Sequence, residues 1–207
     1  MTDPNAPRVF RLRSTFVEQD RLAMLSHLEV AHALERTVRR AGLPFAISQG
    51  FSPHMKIAFG AALPVGVGST CEIFDLQLRE YVAADKALAA LQRASVADLM
   101  VQECRYIENS APAASVAFPF STYEIRFCDP VSNIQVPESI TVVRKRKEKV
   151  LVVGDYLVEP IVCEGTRATF TLEAKPTGSL RPDVLLQHCD VSASIVSITR
   201  IAQRASL

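Results

Sequence analysis

No stretch of this chain reaches the ~20 consecutive apolar residues that a membrane helix needs, so no membrane partner is expected. An excess of one charge sign is also missing. The sequence holds 23 Lys and Arg against 22 Asp and Glu, a net charge of +1. That excludes a chain that is basic throughout, and any nucleic-acid site has to be a local patch. The five cysteines, Cys71, Cys104, Cys128, Cys163 and Cys189, are odd in number and contain no CxxC pair. This spacing argues against a disulfide framework and against a zinc knuckle, and for reduced thiols packed as small hydrophobes. Residues Met1 to Pro7 are polar and lead straight into a strand-like segment, unlike a signal or transit peptide. A cytoplasmic location is therefore the expectation.

Recognised catalytic and cofactor motifs are equally scarce. There is no GxxxxGK[ST] to cradle phosphates and no GxGxxG for a dinucleotide. GxSxG, HExxH and paired-aspartate metal motifs are absent too. The sequence thus gives no ground to expect a metal or a cofactor, and whether the protein is an enzyme stays open.

What is present is an ordinary globular composition, 48% apolar and 22% charged over 207 residues. That length admits one large domain or two small ones. Small residues and a proline at Asn109–Phe118 mark a short linker, dividing the chain into residues 1–110 and 111–207. The first part carries 12 basic and 12 acidic side chains, the second 11 and 10, so neither is a basic tail.

The first part predicts β-α-β-β-α-β. Phe10 and Leu12 alternate with Arg11 and Arg13, the two-residue period of a half-buried strand. Ser26 and Glu29 form a capping box, and Leu28, Ala31, Leu34, Val38 and Ala41 give the helix an apolar stripe. Gly42 and Pro44 end it. A short strand is expected at Phe45–Ser48, then a Gly/Pro-rich loop from Gln49 to Gly68, within which Met55–Phe59 can form another strand or lie flat against the core. Phe74, Leu76 and Leu78 alternate with Asp75, Gln77 and Arg79 in a strand over Glu72–Arg79. A helix at Ala83–Arg93 and a strand at Leu99–Ile107 close the unit. The fold class is α+β, with a ferredoxin-like split βαβ unit first.

The second part is richer in strands. Tyr123, Ile125 and Phe127 alternate with Glu124 and Arg126. Ile140–Val143 and Val150–Val153 flank a charged hairpin tip. A strand around Phe170 and Leu172, a helix over Arg181–His188 with Pro182 in its first turn, and a strand over Ile195–Ile201 follow. The order admits a second ferredoxin-like unit whose first helix is replaced by a hairpin.

Chemistry-bearing residues concentrate between Leu25 and Gly66. His32, Arg36 and Arg40 lie four residues apart on one helix face, with Arg39 beside them. Guanidinium groups so placed can fork onto phosphate or carboxylate oxygens. They can equally form a solvated face with an i,i+4 Glu35–Arg39 ion pair. His27 at the helix start and His54 in the loop are candidate acid–base residues, should the fold bring them together. Ser48, Gln49, Phe51, His54 and Lys56 have the character of a binding loop: a ring that can stack, with donors around it. Five basic residues, Arg144, Lys145, Arg146, Lys147 and Lys149, crowd the hairpin tip, which suits either phosphate attraction or solubility.

The runs Leu25-Ser26-His27-Leu28, Leu34-Glu35-Arg36, Arg39-Arg40-Ala41-Gly42-Leu43-Pro44 and Ser48-Gln49-Gly50-Phe51 with Pro53-His54 carry a resemblance. So do Ile57, Phe59-Gly60, Leu63-Pro64 and Gly66, and more weakly Asp155 and Ser179-x-Arg181-Pro182-Asp183. On these residues the chain resembles the bacterial radical-SAM-linked proteins, a domain of unknown function. The resemblance implies a partner: a radical SAM protein with a cobalamin-binding-like domain, encoded beside or fused to such chains. Genes for a ribonuclease and ribosomal proteins often lie nearby. This chain has no CxxxCxxC for the cluster of a radical enzyme and would be its companion. The expected function is an RNA-binding or substrate-presenting accessory, with Arg36, Arg39, Arg40 and Lys56 on phosphates and Gln49, Phe51 and His54 on a base. An RNA-processing enzyme using His27 and His54, or a protein-interaction module, are the alternatives.

Overall fold

The computed structural model describes residues 9–144 and 147–207. Met1 to Pro7, and Lys145 and Arg146 at the hairpin tip, lie outside the described residues. The protein is a mixed α+β structure. Its residues gather into two compact units: residues up to Leu63 with Cys71–Ala117, and Pro64–Thr70 with Phe118–Leu207.

The first unit runs β1 (Phe10–Glu18), α1 (His27–Arg40), β2 (Ile57–Phe59), β3 (Val67–Leu78), α2 (Ala84–Ala94), β4 (Val101–Ile107) and a one-turn α3 (Ala114–Ala117). Its strands lie in the order β4-β1-β3, with β2 also on β3. Helix α1 starts where the sequence predicts. The Ser26 side chain accepts from the Glu29 amide, and Glu29 Oε2 accepts from the Ser26 amide at 2.8 Å. Two otherwise orphaned N–H groups are satisfied in this way. The helix stops at Gly42, whose φ of +67° is the left-handed conformation that a side chain would resist.

The buried face of α1 differs from the expected stripe. Val30, Leu34, Thr37 and Val38 are inside, whereas Leu28 is 64% exposed. The inward face meets Leu12 and Phe16 of β1, Phe74, Leu76 and Leu78 of β3, and Ala87 and Leu91 of α2 in one apolar cluster. Phe45–Ser48 is held by isolated bridges, Phe45 to Leu78 and Ile47 to Met55, and is not a continuous strand.

In the second unit, residues 67–69 of β3 pair in parallel with β10 (Ile195–Arg204). From there the order is β10, β5 (Phe120–Phe127), β9 (Arg167–Glu173), β8 (Leu157–Glu164), all antiparallel. Strands β6 (Ser139–Arg144) and β7 (Lys147–Val152) make the expected two-stranded ribbon, and α4 (Pro182–Gln187) begins on Pro182. Strand β8 is absent from the sequence reading. Its sequence, LVEPIVCE, lacks a regular apolar–polar alternation and carries Pro160, and its register against β9 shifts twice. Tyr123 and Phe170 face each other in register and stack at 5.5 Å within a core that includes Ile125, Leu172 and Leu185. No helix among the described residues is long and apolar enough to cross a membrane.

Candidate functional site

The loop after α1 is a small, internally fastened hairpin. Ala46 O accepts from the Lys56 amide at 2.8 Å, and the Ser48 amide donates to His54 O at 2.8 Å. The His54 amide in turn donates to Ser48 Oγ at 3.0 Å, and Ser52 Oγ lies 3.2 Å from His54 Nε2. Gly50, with φ +144°, makes the turn that places Phe51 at the tip. Phe51 is fully exposed, at 113%. Gln49, Ser52, Pro53, His54 and Lys56 are exposed around it, and Ser48 is half-buried. Met55 is the buried foot of the loop. Four hydrogen-bonding contacts thus fasten the loop that holds this apolar ring in water.

The arginines of α1 divide in their roles. Arg36 is exposed and forms no ion pair among the described residues. Arg39 lies 3.6 Å from Glu35, and its guanidinium sits 5.8 Å from the centre of the Phe45 ring. It therefore links the helix face to the base of the loop. Arg40 donates from Nη2 to Ala94 O at 2.6 Å and to Thr37 Oγ1 at 3.3 Å. It caps the C-terminal carbonyl of α2, a placement that suits a cation at the negative end of a helix.

The two candidate histidines have different surroundings. His27 rests edge-to-face on Phe59 at 5.4 Å and lines a small cavity with Glu18, Val30, Gly60 and Glu72. His54 has its partners in the loop. No hydrogen bond joins the two histidines among the described residues. Nor do any three His, Cys, Asp or Glu among the described residues form a group able to hold a metal ion.

At the ribbon β6–β7, Arg144 and Lys147 end the two strands on either side of Lys145 and Arg146. Lys149 is exposed, yet its Nζ donates to Thr177 O at 3.1 Å.

One polar cluster escaped the sequence reading. Arg13 forks onto Asp75, Nε to Oδ1 at 2.7 Å and Nη2 to Oδ2 at 2.9 Å. Arg11 Nη2 reaches Oδ2 at 2.6 Å, and its Nη1 donates to Ala111 O at 2.5 Å. Both arginines also donate to Pro112 O. Alternation placed these three residues on the open side of their strands. Their opposite signs on strands β1 and β3 were the available signal. The cluster fastens segment 109–112 to the first unit.

A profile of a family described as uncharacterized protein conserved in bacteria (DUF2344) matches residues 11–171. The chain belongs to this family. The DUF2344 match begins at Arg11 and contains α1, the Phe51 loop and the ribbon β6–β7, while α4 and β10 lie beyond it. No curated protein matches the chain.

Proposed function

We propose that this DUF2344 chain is an RNA-binding or substrate-presenting accessory protein that works beside a radical SAM enzyme in RNA modification or ribosome-related processing. The observation that carries the RNA half is Phe51. A fully exposed ring on a fastened loop, ringed by Gln49, His54 and Lys56, is suited to stacking on an unpaired base. Arg36 and Arg39 add cations on the helix that meets the loop base through Phe45. The radical SAM half rests on the resemblance carried by the motifs between Leu25 and Gly66.

We also infer a ferredoxin-like fold for the first unit. Its β-α-β-β-α-β order and the strand order β4-β1-β3-β2 support this. The order β10-β5-β9-β8 repeats that pattern in the second unit, with the ribbon β6–β7 where a first helix would stand.

The test is binding of labelled single-stranded RNA to the protein and to Phe51→Ala. Loss of the ring should weaken binding by about 1–3 kcal/mol. Unchanged binding would remove the loop from the account.

A further inference from the structure

A second concave site lies in the first unit, apart from the Phe51 loop and the arginines of α1, and it borders the Arg11–Asp75 cluster. Phe10, Arg11, Tyr81, Tyr106, Glu108 and Asn109 line an open groove of about 600 Å³, a volume within the range of small-molecule sites. We propose that this groove takes a nucleobase, a planar nitrogen heterocycle bearing N–H donors, stacked on Tyr81.

Tyr81 and Tyr106 stack at 5.1 Å with an interplanar angle of 28°, and Phe10 meets both edge-on at 5.7 and 6.3 Å. The inner ring is locked. Tyr106 Oη donates to Val82 O at 2.6 Å and accepts from the Val82 amide at 3.3 Å. Tyr81 spends one face on this fixed ring and is still 63% exposed. A third flat ring extends the stack with no rearrangement, so the site is preorganised.

The polar rim selects the chemistry. Arg11 is the groove's cation, and its guanidinium is turned to Asp75 and to the carbonyls of Asn109, Ala111 and Pro112. A phosphate or carboxylate therefore finds no offered positive charge. The acceptors are in supply instead. Glu108 is an exposed carboxylate, and Asn109 donates through Nδ2 to Val9 O at 2.9 Å, leaving its Oδ1 as an acceptor. Acceptors beside a stacking face suit the amino and ring N–H groups of a base. The Tyr81 and Tyr106 rings stack on one another and leave one platform. They do not box a cavity, which disfavours a compact alkylammonium ion. The groove shares no residue with the Phe51 loop, and the inference does not rest on the function proposed for that loop.

The experiment is amide chemical-shift mapping of the full-length protein titrated with adenosine, with a short oligoadenylate and with cyclohexylammonium. Adenosine or oligoadenylate should perturb the Tyr106, Ile107 and Asn109 amides at millimolar concentration or below. Tyr81→Ala should weaken that binding about tenfold, and Tyr81→Phe should keep it. Binding of adenosine identifies a free base as sufficient ligand. Binding of oligoadenylate alone identifies a base delivered by a strand. The proposal is overturned if neither perturbs these amides, if cyclohexylammonium binds as tightly, or if Tyr81→Ala binds like the parent. Mapping on the parent protein decides the matter even if a variant fails to fold.

Discussion

Arg13 and Asp75 are joined by two parallel hydrogen bonds inside the first unit, with side chains only 6% and 3% exposed. A forked pair at that depth is held by its geometry, because each ion has given up its water. Removing the carboxylate takes this counter-charge from two arginines at once, since Arg11 shares the same Oδ2. Asp75→Ala should lose about 3–5 kcal/mol in urea denaturation. A loss under ~1 kcal/mol, the range of exposed ion pairs, would show the cluster to be solvated.

The capping box makes a pH-dependent contribution of known sign. Hydrogen bonds from the Ser26 hydroxyl and amide hold the Glu29 carboxyl below its ordinary value. Its folded-state pKa is thus lowered, so the contribution is present above the unfolded pKa and fades as pH falls through the folded one. Denaturation at several pH values should show this acid-side loss in the parent and a smaller one in Glu29→Gln. The Ser26→Ala change should cost about 1 kcal/mol near neutral pH.

Much of this architecture was legible because it is local. The Ser26–Glu29 box, the Gly42 stop, Pro182 at the start of α4 and the alternation of Phe74, Leu76 and Leu78 are written over a few residues each. Long-range contacts were not. Alternation could mark Asp75 as pointing away from the apolar cluster but could not reveal Arg11 and Arg13 across the strand gap. Periodicity likewise could not tell Leu28 from Val30, because the face that is buried depends on what α1 packs against. Strand β8 hid behind Pro160. At the site, the Gly and Pro content of Ser48–His54 marked a loop, whereas the full exposure of Phe51 and the tie of Arg40 to Ala94 are tertiary facts.

The two outer arginines of α1 should separate cleanly. Arg40 holds the Ala94 carbonyl and the Thr37 hydroxyl, so Arg40→Ala should cost stability, about 1 kcal/mol. Arg36 makes no such bond among the described residues, and Arg36→Ala should stay within about 0.5 kcal/mol of the parent. Thermal melts of the two variants check this directly.

The thiols should differ in reactivity. Cys128 is exposed, whereas burial pushes Cys189 up to about 11 and also raises Cys104 and Cys163. Because the thiolate is the nucleophile, iodoacetamide near pH 8 should label Cys128 first and Cys189 slowly. Peptide mass spectrometry over a time course reads the order.

The most direct test of the central claim is fluorescence anisotropy of a labelled single-stranded RNA across a salt series, with the parent protein, Phe51→Ala and Arg36→Ala. Affinity should fall steeply with salt. Arg36→Ala should lower the slope by about 0.7, one phosphate contact on a single strand. Phe51→Ala should weaken binding with the slope unchanged, since a stacking ring releases no counterions. Absence of binding at low salt, or binding that both variants leave intact, would contradict the claim.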